Sequence, residues 1–359
     1  AAERPFMILG GGGWDARAVT DIRAFAEAND LPVGASFRCQ DLFDNAHRNY
    51  AGDVGIGINP ALAERIRNAD LLLVVGARLG EMTTSGYTLV EVPRPKQALI
   101  HVHAGAEELG RVYQADLPIN AGMAQFAAAA RALTPVDSAA WRKWTADARA
   151  DYLANLEAPQ IPGSLQMGEV MAYLRERLPA DAILTNGAGN FATWLHRFYQ
   201  YRTFRTQLAP TSGAMGYGVP AAVAAKAVHP DRPVVCFSGD GDFLMNGQEL
   251  ATAVQYGLDI VILVINNGMY GTIRMHQERR YPGRISGTDL VNPDFAAYAR
   301  AFGAHGETVE KTAEFAPAFE RAMKAGRPAL IELRLDPEAI TPRTTLSQIR
   351  ADAHAAQRR

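Results

Sequence analysis

Residues 233–267 read PVVCFSGDGDFLMNGQELATAVQYGLDIVILVINN, and their order points to the type of fold. Segment 233–238 is short, apolar and β-branched and stops at a glycine, the pattern of a strand buried on both faces of a parallel sheet. Segment 246–256 has helical periodicity and ends at Gly257, and 260–265 is a second apolar strand. Strand, helix and strand return the second strand beside the first. The Gly239-Asp240-Gly241 turn and the Asn266-Asn267 pair then converge at the strands' carboxyl ends, where open α/β sheets bind ligands.

A carboxylate, a carboxamide and a nearby backbone carbonyl at that edge form an all-oxygen set suited to a hard cation, most naturally Mg2+ holding a diphosphate. Gly239 and Gly241 let backbone N–H groups approach phosphate oxygens, and the N-terminus of the helix that follows adds its dipole. A Gly-Asp-Gly alone is an ordinary turn; with these strands, this spacing and the Asn pair it is specific.

Together these residues resemble the fingerprint of thiamine diphosphate enzymes. The resemblance implies that Asp240 and the Asn267 side chain ligate Mg2+ with the Met269 backbone carbonyl, and that Gly239, Gly241, Asp242, Tyr270 and Gly271 line the diphosphate loop. A second segment, APTSGAMGYGVPAAVAA at 209–225, opens as a loop and turns into a small-residue helix. Alone it reads as a helix start with a core methionine. It is similar to the Gly-x-Met-Gly-(aromatic)-Gly-x-Pro-Ala-Ala element of the acetolactate synthase-like branch, at that family's distance before Asp240. There Met215 supports the bent cofactor, and Ser212 and Gly213 join its contacts.

The continuation GMYGTIRMHQERRYPGR at 268–284 also resembles that branch. It implies that Thr272 and Ile273 face the reacting carbon. His276 stands where the biosynthetic enzymes have a pocket-shaping tryptophan, and reads alternatively as a surface helix histidine. At 185–194, TNGAGNFATW departs from the branch's Gly-Gln-His-Gln. Asn190 there contacts cofactor or substrate, or caps a loop, and Phe191 lacks a histidine's hydrogen bond to diphosphate.

Composition agrees with a soluble, two-domain chain: 359 residues, 48% hydrophobic, 21% charged, net charge −2. No basic block favours nucleic acid, and apolar runs such as 71–75 are far too short to span a bilayer. No secretory signal is evident. Cys39 and Cys236 fall in different predicted domains, so no disulfide and a cytoplasmic location are expected.

The predicted fold class is α/β, two doubly wound, mostly parallel-sheet domains joined by a helical linker. Strands at 6–9, 33–37, 71–75 and 98–102 alternate with helices running to about 29, over 60–68 and over 123–133, giving a first domain at 1–135. A polar helix at 139–156 and the Pro-rich 158–163 form a linker, 136–163. The diphosphate-binding domain spans 164–335, and a tail, 336–359, caps a neighbouring site or frays.

Gly10 to Gly13 follow a strand without the spacing of a dinucleotide fingerprint and read as a tight turn. In acetolactate synthases the corresponding domain binds a structural FAD, and Gly76-Ala-Arg78 resembles the residues near it. LIHVHAGAEELG at 99–110 departs from the usual His-Ile-Asp-Ile-Asp-Pro, placing His103 and Gly105 where acidic residues are expected, and leaves FAD open.

The resemblance implies decarboxylation of a 2-oxo acid with carboligation, as a lyase or transferase. It also implies that the glutamate facing the aminopyrimidine ring belongs to a pyrimidine-binding domain preceding Ala1, in cis or on another chain of a homodimer or homotetramer. The isolated chain is then expected to be inactive. Simple 2-oxo acid decarboxylation, acyl-CoA lysis and a non-catalytic cofactor-binding or assembly module remain the alternatives. A nicotinamide-dependent protein would rest on Gly10 to Gly13 alone.

Overall fold

Strand and helix alternate along the whole of the computed structural model, which describes residues 2–358 as two units, 2–157 with 200–207 and 158–199 with 208–358. The first holds β1 (Pro5–Leu9), β2 (Val33–Ser36), β3 (Tyr50–Val54), β4 (Leu71–Val75), β5 (Ala98–His103) and β6 (Leu117–Asn120). They lie in the order β3-β2-β1-β4-β5-β6, every pair parallel. The order reverses between β1 and β4, the doubly wound arrangement.

Alternation along β1 supplies both faces of this sheet. Met7 and Leu9 pack with Ile22 and Ala127 from helices Ala16–Ala28 and Met123–Arg131. Phe6 and Ile8 pack with Leu62 and Ile66 of helix Pro60–Asn68 on the other side. Two strands escape sequence reading. β3, YAGDV, interrupts its apolar run with Gly52 and Asp53, and β6, LPIN, is an exposed edge strand that accommodates Pro118.

The polar helix assigned to the linker, Arg142–Asn155, packs onto this first unit. Its Ala148 and Tyr152 are buried. Thr145 Oγ1 donates to the Asp30 carbonyl at 2.7 Å and Trp141 Nε1 to that of Asn29 at 3.0 Å. A narrow inner stripe is hidden by an otherwise charged composition.

The second unit holds β7 (Ile183–Asn186), β8 (Gln207–Leu208), β9 (Val234–Gly239), β10 (Val261–Asn266), β11 (His305–Val309) and β12 (Ala329–Arg334), ordered β11-β12-β10-β9-β7-β8. From β11 to β7 the strands are parallel, and Ile265 pairs with Gly239, so β9 and β10 end side by side. The tail does not fray. It forms helix Leu346–Gln357, whose Leu346 and Ile349 join Ile340, Met269 and Met275 in an apolar cluster. Both cysteines are free thiols. Among the described residues no helix is long and apolar enough to cross a membrane.

Candidate functional site

β9 ends at Gly239, and a helix, Asp240–Asn246, begins at Asp240 itself. Periodicity placed the helix start at 246; Gly241 and Asp242, poor helix formers, mask the earlier turn. The helix tightens into a 3₁₀ turn at Gly247–Glu249 and resumes over Leu250–Gln255.

Asp240 is 3% exposed. Its Oδ1 accepts the Gly241 N–H at 2.9 Å, and its Oδ2 accepts the Gly268 N–H at 2.9 Å and Asn292 Nδ2 at 2.8 Å. Burial raises its carboxyl above the ordinary range, opposed by the Asn292 bond and by the backbone N–H groups.

The Asn pair divides its work. Asn266 Nδ2 donates to Glu332 Oε1 at 2.7 Å, and its Oδ1 accepts the Gly268 N–H at 3.0 Å and Asn292 Nδ2 at 2.9 Å. The Asn267 carboxamide and the Met269 carbonyl have no hydrogen-bond partner among the described residues. Met269 is held by a bridge to Asp289, flanked by Tyr270 N–H to the Thr288 carbonyl and Leu290 N–H to the Gly268 carbonyl, each 2.9 Å. Among the described residues no three His, Cys, Asp or Glu side chains could hold a metal. One carboxylate with an open amide oxygen and an open carbonyl is instead the donor chemistry of a hard cation, so these residues fit Mg2+.

Aromatic rings crowd both loops. A Cβ on Gly239 would lie 2.7 Å from Phe191 Cδ1, and one on Gly241 2.5 Å from Tyr270 Cε1. Phe191 thus supplies shape where the resembled branch has histidine. Gly271 leaves room beside the Asn267 amide, 3.1 Å from where its Cβ would sit.

Asp242 faces inward. Its Oδ1 accepts the N–H of Gly216 at 2.7 Å and of Ala188 at 3.2 Å, and its Oδ2 accepts the Ser238 hydroxyl. It ties three segments together, one of them the Met215 loop. Met215 is half-buried, Gly213 is partly exposed and Ser212 exposed.

Asn190 and Thr272 bond each other: Asn190 N–H donates to Thr272 Oγ1 at 2.9 Å, and that hydroxyl donates to Asn190 Oδ1 at 3.0 Å. Asn190 Nδ2 reaches Met275 Sδ at 3.4 Å. Ile273 and His276 are exposed on helix Gly271–Arg280. Sequence reading missed Asn292 and Glu332 and gave Asn266 no role apart from its pairing with Asn267. Asn292-Pro293-Asp294 reads only as the entry to helix Phe295–Ala301, with Asp294 as its cap.

In the first unit Arg78 Nε lies 3.2 Å from Glu108 Oε1, which Arg111 also contacts at 2.8 Å. His103 Nδ1 accepts the Gly105 N–H at 3.0 Å. The Gly10 carbonyl is taken by Trp14 Nε1 at 2.8 Å.

Comparison with known proteins follows the two units. The model of the thiamine pyrophosphate enzyme central domain matches residues 1–130, and that of the C-terminal TPP binding domain matches 187–333. The acetolactate synthase large subunit of Corynebacterium glutamicum is 32% identical over 355 residues, 94% of this chain and 55% of that protein. Isozyme 2 large subunit of Escherichia coli acetolactate synthase is 27% identical over 337 residues, 93% of this chain and 60% of that protein. The acetolactate synthase of Mycobacterium avium is 32% identical over 324 residues, 87% and 52% respectively. The chain therefore spans between 52% and 60% of the length of these relatives.

Proposed function

Because this chain belongs to the thiamine pyrophosphate enzymes, whose central and C-terminal TPP-binding domains it carries, we propose that it forms the diphosphate-holding part of an acetolactate synthase-like enzyme. The enzyme decarboxylates a 2-oxo acid and joins the remaining acyl unit to an acceptor. Asp240, Asn267 and the Met269 carbonyl would hold Mg2+, and Met215 would support the cofactor. Thiamine diphosphate, when bound, supplies the electron sink for loss of carbon dioxide.

One observation carries this reading: a buried, triply hydrogen-bonded Asp240 stands beside two oxygens, of the Asn267 carboxamide and the Met269 carbonyl, that have no hydrogen-bond partner among the described residues. An accessible amide oxygen and a backbone carbonyl beside a fixed carboxylate are the all-oxygen donor set of a hard cation. Calorimetric titration with Mg2+ and thiamine diphosphate should give a binding heat that Asp240→Ala removes. Equal heats for both proteins overturn the metal assignment.

On the same footing we assign the aminopyrimidine-facing glutamate to a further domain, in cis or on a neighbouring subunit of a homodimer or homotetramer. Incubating the whole protein with pyruvate separates the chemical alternatives: acetolactate or acetoin supports carboligation, an aldehyde supports simple decarboxylation, and a requirement for coenzyme A supports the lyase. Arg78, the residue that suggested a flavin, pairs with Glu108 at 3.2 Å while 63% exposed, and a flavin spectrum released on denaturation decides whether one is bound.

A further inference from the structure

Glu332, Asn266, Asn292 and Asp240, from four separate segments, form one unbroken line of hydrogen bonds beneath the proposed metal site. It starts at Glu332 on β12, which is 1% exposed. Its carboxylate receives Asn266 Nδ2 at 2.7 Å, Thr308 Oγ1 at 3.0 Å and Arg334 Nε at 3.4 Å, so it acts purely as an acceptor. Asn266 must therefore turn its NH2 toward Glu332 and its carbonyl oxygen away. That oxygen can only be met by a donor, so Asn292 turns its own NH2 inward, 2.9 Å from Asn266 Oδ1. The second hydrogen of the same NH2 serves Asp240 Oδ2 at 2.8 Å. Reversing either amide would set oxygen against oxygen, and the Gly268 N–H, which donates to Asn266 Oδ1 at 3.0 Å, enforces the same direction as the buried glutamate. Asn292 Oδ1 is left buried and without a partner, a cost that the two bonds of its nitrogen offset.

We infer that Asn292 and Asn266 are positioning residues that hold the Asp240 carboxylate in its cation-binding orientation, with Glu332 and the Gly268 N–H together setting their polarity. The inference rests on the metal reading of Asp240. It also explains the adjacent asparagines: one offers its oxygen to the cation, and the other aligns the carboxylate opposite. Partners behind a metal ligand restrict its rotation, and their loss typically lowers metal affinity by about 10–100-fold.

Mn2+ in place of Mg2+ provides a direct probe, its binding read by electron paramagnetic resonance in the whole protein with thiamine diphosphate present and no substrate. Asp240→Ala should abolish binding; if it does not, the metal reading fails and this inference with it. Given that loss, Asn292→Leu should raise the Mn2+ dissociation constant about 10–100-fold. Glu332→Gln, nearly isosteric but able to donate, should raise it several-fold by letting Asn266 turn over. Circular dichroism and melting temperature check that each apo variant is folded. Asn292→Ala, which admits water to the vacated space, replaces Asn292→Leu should the latter not fold. A dissociation constant within twofold of wild type in the folded Asn292 and Glu332 variants, with binding abolished by Asp240→Ala, overturns the positioning role alone.

Discussion

Asp242 accepts the backbone N–H of Gly216 at 2.7 Å, while Asn246, one turn further along the same helix, donates to the Gly216 carbonyl at 2.8 Å. Both polar groups of one glycine are thus held by the helix that starts with Asp240. Met215, next in the chain, is thus anchored through Gly216 to the helix that begins with the proposed metal ligand. Gly216 has φ +80°, and a Cβ there would lie 3.0 Å from Met245 Cβ, so glycine is required.

Replacing Asp242 tests this clamp. Asp242→Leu strands the N–H groups of Gly216 and Ala188 and should cost about 2–4 kcal/mol, whereas Asp242→Asn keeps one accepting oxygen and should cost under about 1.5 kcal/mol. Denaturant unfolding gives both values. Hydrogen exchange at Gly216 and Ala188 should accelerate only in the leucine variant.

Glu278, 1% exposed, receives Arg350 Nη2 at 2.6 Å and Nε at 2.9 Å, the Gly283 N–H at 2.8 Å and Arg274 Nε at 3.2 Å. The Arg350 bonds lead in holding its carboxyl down at about 2, against burial. Because folding depresses this pKa, Glu278 stabilises the fold above its ordinary 4.5, and that contribution disappears as pH falls toward about 2. Arg350→Met should destabilise by about 3 kcal/mol at neutral pH. The gap between the two proteins should narrow below about pH 4.5 in pH-dependent denaturation. A gap constant down to acid pH would count against this pair.

Thr272 is tied twice to Asn190, so Thr272→Val, which keeps shape and removes the hydroxyl, should cost about 1–2 kcal/mol and leave Asn190 without its Oδ1 donor. Thr272→Ser should recover most of it. Equal melting curves for the valine and serine variants would sink the pairing.

The glycine run of the first unit separates packing from ligand binding. Gly11 has φ +69°, and its Cβ would fall 1.9 Å from the Gly76 carbonyl oxygen, whereas a Cβ on Gly12 meets nothing within 4 Å. Gly11→Ala should destabilise by more than about 2 kcal/mol, and Gly12→Ala should leave stability within about 0.5 kcal/mol. Comparable losses at both positions would contradict the tight-turn reading.

The legible features share a cause. β9 and β10 announce themselves because strands buried on both faces must be continuously apolar, and the loops after them because Gly-Asp-Gly and Asn-Asn occur together at the spacing of one strand–helix–strand repeat. β3 and β6 were hidden because Asp53 and Pro118 break that apolar signature. The linker helix was misplaced because only Ala148, Tyr152 and their neighbours, not its overall composition, reveal the face it buries.

Local order alone therefore determined two parallel α/β units and Asp240 as the carboxylate at the strands' carboxyl edge, where the diphosphate and cation are proposed to sit. All of these depend on residues adjacent in the chain or separated by one strand–helix–strand repeat. Only the tertiary structure decided which asparagine is open and which is engaged, and that Asp242 and Thr272 hold neighbouring loops. The Asn292–Asp240 contact joins residues 52 apart, and Asn266–Glu332 joins residues 66 apart. A hydrogen bond depends on distance and direction between atoms, and no periodicity records which distant polar groups the folded sheets bring within 3 Å of each other.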